Sequence, residues 1–222
     1  MIKIIASVAK NGAIGRKGDL PWKLPTDLSY FLEKTANHYL IMGKNTYYSI
    51  KSRFDKKYPG KNKFFGKGRK SIVLTSEPIM GLPDEVYTTS SIEQALKIVG
   101  KKDVFIIGGA FVYNQFVDIA DELYISDIDA EIEDADAFFP QINLGKWVLD
   151  SEKFVAKDAK NEYNFSCKIY KKAKNMAENK EEKILKKNLE KMAASGYFKE
   201  DMRVDVGKFS LENLLNEEDE KK

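Results

Sequence analysis

The stretch Val104-Phe105-Ile106-Ile107-Gly108-Gly109-Ala110-Phe111-Val112-Tyr113 decides the fold. Its opening residues form an unbroken apolar run, the pattern of a strand covered on both faces. Two glycines end the run, and a helical pattern takes over from Ala110. Residues 2–9, IKIIASVA, are almost continuously apolar as well. Further strand-like runs, bounded by Gly, Pro and polar breakers, occupy 39–43, 71–76, 122–127, 147–154 and 163–170. Helical patterns lie between them. Leu28, Phe31, Leu32 and Thr35 follow i, i+3, i+4, i+7 spacing behind Pro25 at a first helical position. Ser91 stands as an N-cap, and residues 110–118 follow the glycine pair. Strands alternating with helices indicate an α/β domain with a mainly parallel sheet.

Hydrophobic residues make up 43% of the chain and charged ones 32%, enough apolar mass for a core. The sequence holds no run of about eighteen apolar residues, so no membrane-spanning helix is expected. The segment MIKIIASVAKNGAIG has no basic stretch ahead of a long apolar one and reads as strand and turn, not as a signal peptide. Cys167 is the only cysteine, which rules out an internal disulfide and fits a reducing, cytoplasmic setting. The net charge of +3 is too small to argue for nucleic acid. His38 is the sole histidine, which removes Ser-His-Asp catalysis and any multi-histidine metal site. His38 and Cys167 are read as structural.

Composition shifts after Lys172. Residues 173–222 are rich in Lys, Glu and Asn and read as a charged helical extension. Leu185, Leu189 and Met192 make one helical stripe, with Ile184 beside it. Ser210 stands as an N-cap, with Phe209 and Leu214 placed as a hydrophobic staple. The stripe is a candidate surface for docking on residues 1–172 or on a second copy, and 216–222 are expected to fray. Residues 51–70 read as an irregular region in which nine Lys and Arg residues face one acid, Asp55. A solvated surface loop explains them; a collar attracting an anionic substrate is the sharper reading.

Chemistry concentrates in three places. A loop punctuated by Gly12, Gly15 and Gly18 runs through Leu20-Pro21-Trp22 into a helix carrying Asp27 in its first turn. An acid there complements the helix dipole. Asp27 also borders the apolar stripe, where a buried carboxylate needs partners, and a planar heterocycle with two N–H donors would satisfy both oxygens. Second, Gly108-Gly109 before a helix suits a phosphate, because glycine lets a ligand approach the backbone. Third, Ile41-Met42-Gly43-Lys44-Asn45-Thr46 repeats that arrangement, and Leu74-Thr75-Ser76 ends another strand. Ligands of open α/β sheets sit at the carboxyl ends of strands, so one long phosphate-bearing cofactor could touch all of these.

These residues resemble the dihydrofolate reductase family. The resemblance rests on Ile5-Ala6, Ile14-Gly15, Pro21-Trp22, Leu24-Pro25, Asp27-Leu28, Phe31, Ile41-Met42-Gly43, Thr46, Ser49-Ile50, Arg69, Ile107-Gly108-Gly109, Val112-Tyr113 and Ile128-Asp129-Ala130, in the family's order across residues 1–172. It implies a three-layer α/β fold: a twisted, mostly parallel eight-stranded sheet with one antiparallel edge strand and helices on both faces. It also implies reduction of 7,8-dihydrofolate by hydride from NADPH, serving one-carbon metabolism, and makes the protein a target for antifolates.

By the same resemblance, Asp27 binds the pterin through N3 and the 2-amino group and supports protonation at N5. Burial should raise its pKa from about 3.9. Ser126 ties that carboxylate to the pterin amino group. Ile5, Ala6, Leu28, Phe31 and Ile50 line the pterin and aminobenzoyl pocket, and Arg69 forks onto the substrate's α-carboxylate. The nicotinamide lies near Ala6, Ile14, Ile107 and Tyr113, beside a cis Gly108–Gly109 bond. Leu20 and Trp22 belong to a mobile loop that closes over it. Gly43, Lys44, Thr46, Thr75, Ser76, Gly109 and Ala110 hold the phosphates, and Asp136 packs against the mobile loop. Three positions depart from the family pattern. Ser7 replaces a small apolar residue, Asn45 one that is often basic, and Phe111 a phosphate-binding arginine in some members. The alternatives are a reductase of a riboflavin-pathway ribosylaminopyrimidine or another pteridine, and a scaffold protein acting through residues 173–222.

Overall fold

The computed structural model describes residues 1–60 and 64–173. The Leu185/Leu189/Met192 stripe and the Ser210 cap lie outside the described residues. In chain order the elements are β1 (Ile2–Ala9), β2 (Ala13–Gly15), α1 (Pro25–Lys34), β3 (Tyr39–Gly43), α2 (Lys44–Lys57), β4 (Lys70–Leu74) and β5 (Val86–Thr89). They continue with α3 (Ile92–Val99), β6 (Val104–Gly108), α4 (Ala110–Phe116), β7 (Glu122–Ile128), β8 (Ala137–Phe138), β9 (Trp147–Val155) and β10 (Phe165–Lys172).

Eight strands form one sheet in the order β5-β4-β3-β6-β1-β7-β10-β9, while β2 and β8 pair separately. The pairings from β5 through β7 are parallel. β10 runs antiparallel to both β7 and β9. The antiparallel strand is therefore second from the edge, a correction to the expected edge position. β10 returns from β9 as a hairpin and takes the place beside β7, leaving β9 outermost. That edge strand carries Asp150, Glu152 and Lys153 on a largely exposed surface, which discourages further pairing.

Side chains alternate across the sheet with period two. Ile4, Ile41, Ile72 and Ile106 pack on one face with Ala95, Val99, Val112 and Phe116 from α3 and α4. Their neighbours Ile5, Leu40, Met42, Val73, Phe105 and Ile107 pack on the other with Tyr47, Tyr30 and Phe31 from α2 and α1. Both faces are covered, which is why β1 and β6 carry no polar alternation. Pro25 occupies the first turn of α1, and the Ser91 hydroxyl caps α3 by accepting from the Gln94 N–H at 3.2 Å.

Residues 51–57 are not irregular. They continue α2, with a Lys51–Asp55 pair one turn apart at 2.8 Å. His38 donates through Nδ1–H to the Ala36 carbonyl at 2.7 Å and packs edge-on to Phe105. Cys167 is a buried free thiol. Both are structural positions. No helix among the described residues is long and apolar enough to cross a membrane.

Candidate active site

The carboxyl ends of β1, β3, β4 and β6 open into a cleft of about 1470 Å³. That exceeds the roughly 300–1,000 Å³ typical of one ligand and leaves room for two side by side. Every site residue named from the sequence lines this cleft except Arg69.

Asp27 sits in the first turn of α1 and is 7% exposed. Burial pushes its carboxyl above the usual range, and the hydroxyls of Ser126 and Ser7 oppose the shift. Ser7 Oγ donates to Asp27 Oδ2 at 2.5 Å. Ile5, Leu28, Phe31 and Ile50 give the surrounding wall its apolar character, and Leu28 is half exposed because it faces the open cleft.

In the same cleft, the Gly108–Gly109 peptide is cis, as expected, and Gly108 has φ +126°, a conformation that favours glycine. A Cβ on either glycine would meet Thr46 Oγ1 at 3.3 Å. The bare backbone of one strand end thus faces a hydroxyl from the start of α2. Tyr113 is buried beneath this corner and donates to the Ile5 carbonyl at 2.8 Å. Burial, with the Asp27 charge adding to it, raises its pKa and keeps the phenol neutral.

The loop between β2 and α1 arches over the cleft. Asp136 accepts from the Lys17 N–H at 2.7 Å, and Glu162 accepts from the Lys23 N–H at 2.8 Å, so the loop is tied at both ends. Between these ties Leu20 is exposed and Trp22 buried, with no hydrogen-bond partner for the indole Nε1 among the described residues.

A family model described as dihydrofolate reductase matches residues 1–172. The chain belongs to the dihydrofolate reductase family. The dihydrofolate reductase of Bacillus subtilis is 36% identical over 177 residues, spanning 78% of this chain and 95% of that protein. One from Buchnera aphidicola is 36% identical over 170 residues, spanning 76% and 97%. A solved dihydrofolate reductase from Enterococcus faecalis, complexed with NADP(H) and RAB-propyl, superposes with a TM-score of 0.66 at 31% identity, over 78% of this chain and 96% of that one.

Within this dihydrofolate reductase fold, Arg69 is placed differently from the other named residues. It is 2% exposed. Its Nε donates to Thr35 Oγ1 at 3.0 Å, Nη1 to the carbonyls of Gly66 and Phe65, and Nη2 to the carbonyl of Leu32. Four of a guanidinium's five N–H donors are therefore engaged by the protein, which leaves one, not a fork, for a ligand. Ser7, the departure from the family pattern, and Arg53 and Lys57 of the basic collar also line the cleft, as does Glu77, which the sequence reading did not assign to it. Arg53 pairs with Asp19 of the loop, and Lys44 pairs with Glu77. Ser7 carried a signal, as a polar residue inside an apolar strand. Glu77 carried none.

Proposed function

We infer that residues 1–172 of this chain reduce 7,8-dihydrofolate to 5,6,7,8-tetrahydrofolate with NADPH, feeding one-carbon metabolism. The observation that carries this reading is a carboxylate, Asp27, buried in a cleft roomy enough for two ligands and lined as well by the bare backbone of Gly108 and Gly109. With one oxygen already accepting from Ser7, Asp27 retains lone pairs for the N3–H and 2-amino group of a pterin. Its raised pKa suits a group that helps protonate N5 near neutral pH. Ser126 steadies the same carboxylate, and Ile5, Ala6, Leu28, Phe31 and Ile50 hold the ring and its aminobenzoyl arm. The substrate's carboxylate end would pass Arg53 and Lys57, which line the cleft with Phe65, whose ring lies 5.8 Å from the Arg69 guanidinium.

The residues present also fit the dinucleotide. Ala6, Ile14, Ile107 and Tyr113 would flank the nicotinamide, and Gly43, Lys44, Thr46, Thr75, Ser76, Gly109 and Ala110 the phosphates. When bound, NADPH supplies the hydride for pterin C6. The protein's part is to hold both rings in contact, exclude water by closing Leu20 and Trp22 over them, and supply a hydrogen-bonded acid. The reducing cytoplasm is the compartment we assign, on the strength of the free, buried Cys167.

Loss of NADPH absorbance on adding dihydrofolate tests the reading directly. Turnover with dihydrofolate supports it. Turnover only with a ribosylaminopyrimidine or a different pteridine would move the chain to another substrate on the same fold.

A further inference from the structure

The carboxylate of Asp27 rests on a polar row that crosses three strands. In β1 the residues at 5, 7 and 9 share the face turned toward α1, so Ser7 points where Ile5 points. The parallel register of β1 and β7 sets Ser7 opposite Ser126, and the antiparallel register of β7 and β10 sets Ser126 opposite Cys167. Ser126 Oγ and Cys167 Sγ are 3.8 Å apart. The first turn of α1 lowers Asp27 onto one end of this row, where Ser7 Oγ meets Oδ2 at 2.5 Å.

We propose that Ser7 is a positioning residue of the reductase reaction, its hydroxyl fixing the Asp27 carboxylate in one orientation and stabilising its ionised form. The proposal rests on the role given to Asp27 under Proposed function. The geometry supports it in two ways. Ser7 has one hydroxyl proton to give, and that proton is committed to Oδ2, which fixes the carboxylate's orientation without drawing on Oδ1. A carboxylate also accepts such a bond more strongly when ionised than when protonated. The groups around Asp27 from the packed elements are neutral at working pH: Ser7 on β1, Ser126 on β7, Cys167 on β10, Tyr113 on α4 and Tyr30 on α1. Burial raises the Asp27 pKa and the two serines alone oppose it among the described residues. Ser126 first and Ser7 with it thereby lower the pH at which Asp27 titrates, and Ser7 is the one in direct contact with Oδ2.

The test is the pH profile of kcat/KM for dihydrofolate at saturating NADPH, in Ser7→Ala, Ser7→Val and Ser7→Thr. Val and Thr share a shape, and only Thr retains a hydroxyl. Activity that needs a proton at N5 falls as pH rises through the Asp27 pKa. Without the Ser7 hydroxyl the ionised form is less favoured, so that falling limb should move to higher pH. The expected move is about one pH unit, a tenfold change in proton affinity. Ser7→Thr should return the limb to its native place. NADPH binding, read by quenching of tryptophan fluorescence, should be unchanged in all three. A native limb in both Ala and Val variants, or identical profiles for Val and Thr, would overturn the proposal. If Asp27→Asn itself keeps native turnover, the fault lies with the role assigned to Asp27, and the proposal falls with it.

Discussion

Replacing Arg69 with alanine separates two jobs a buried guanidinium can do. The side chain joins the end of α1 to the segment before β4, donating to Leu32 O, Thr35 Oγ1, Phe65 O and Gly66 O while lying 5.8 Å from the Phe65 ring centroid. Hydrogen bonds from a charged donor contribute about 1.5–3 kcal/mol each, and water entering the vacated space restores part of the loss. A net cost of about 3–4 kcal/mol follows for Arg69→Ala, at the upper end for single substitutions. For a domain of this size each kcal/mol lowers Tm by roughly 2–4 °C, so thermal unfolding of the free protein should shift down by about 6–15 °C. Arg69→Lys should recover less than half of this, because an ammonium cannot reach carbonyls on both sides as a planar fork does. The measurement is a melting curve without ligands, paired with KM for dihydrofolate at a temperature where every variant is folded. A Tm within about 2 °C of native would refute the structural role. A large rise in KM beside that unchanged Tm would assign the guanidinium to the substrate.

Three further outcomes are expected. Asp27→Asn should cut turnover by at least about 100-fold at neutral pH, the usual scale for losing a general acid. It should also stabilise the free enzyme. Burial raises the carboxyl's pKa above its unfolded value, so the folded state binds the proton more tightly and stability falls as pH rises through that window. The variant should therefore melt above the native protein at neutral pH and close to it below the unfolded carboxyl pKa, and equal gains at both pH values would disprove the linkage. Glu77→Gln frees Lys44, which now pairs with that acid at the edge of the cleft. It should raise kcat/KM for NADPH about threefold at low salt, leave NADH use unchanged, and lose the gain at high salt; a salt-independent gain would point elsewhere. Asp19→Asn unties Arg53 from the loop. Steady-state kinetics should show KM for dihydrofolate falling by about two- to fivefold at low ionic strength with Tm unchanged, since an exposed pair adds little stability. A rise in KM would mean that the pair holds the cleft in its binding shape.

Legibility of this chain follows the distance over which each feature is determined. β1 and β6 stand out in the sequence because burial on both faces favours nearly continuous apolar runs, and α1 because Pro25 and a four-residue stripe are local signals. β5, Val86-Tyr87-Thr88-Thr89, went unseen: it is an outermost strand with two exposed central residues, so neither an apolar run nor clean alternation marks it. The end of α2 is not legible as helix because residues 51–57 offer Phe54 alone as an apolar contact, and the helix there is carried on from Tyr47, buried in the core.

The site divides along the same line. Glycines, the pocket aromatics and Asp27 are constrained by backbone conformation or by shape, and their positions follow from order along the chain. Polar side chains choose partners only once the chain has folded. Ser7 finds Asp27 at a separation of 20 residues, and Arg69 finds Thr35 at 34. Nothing local told Ser7 which face of β1 it would occupy relative to α1; the register with β7 and the docking of α1 decided that together. The same physics applies to Arg69. A guanidinium in a basic stretch has the chemistry to bind a carboxylate, and no local signal announces that the carbonyls of Leu32, Phe65 and Gly66 take most of its donors in the fold.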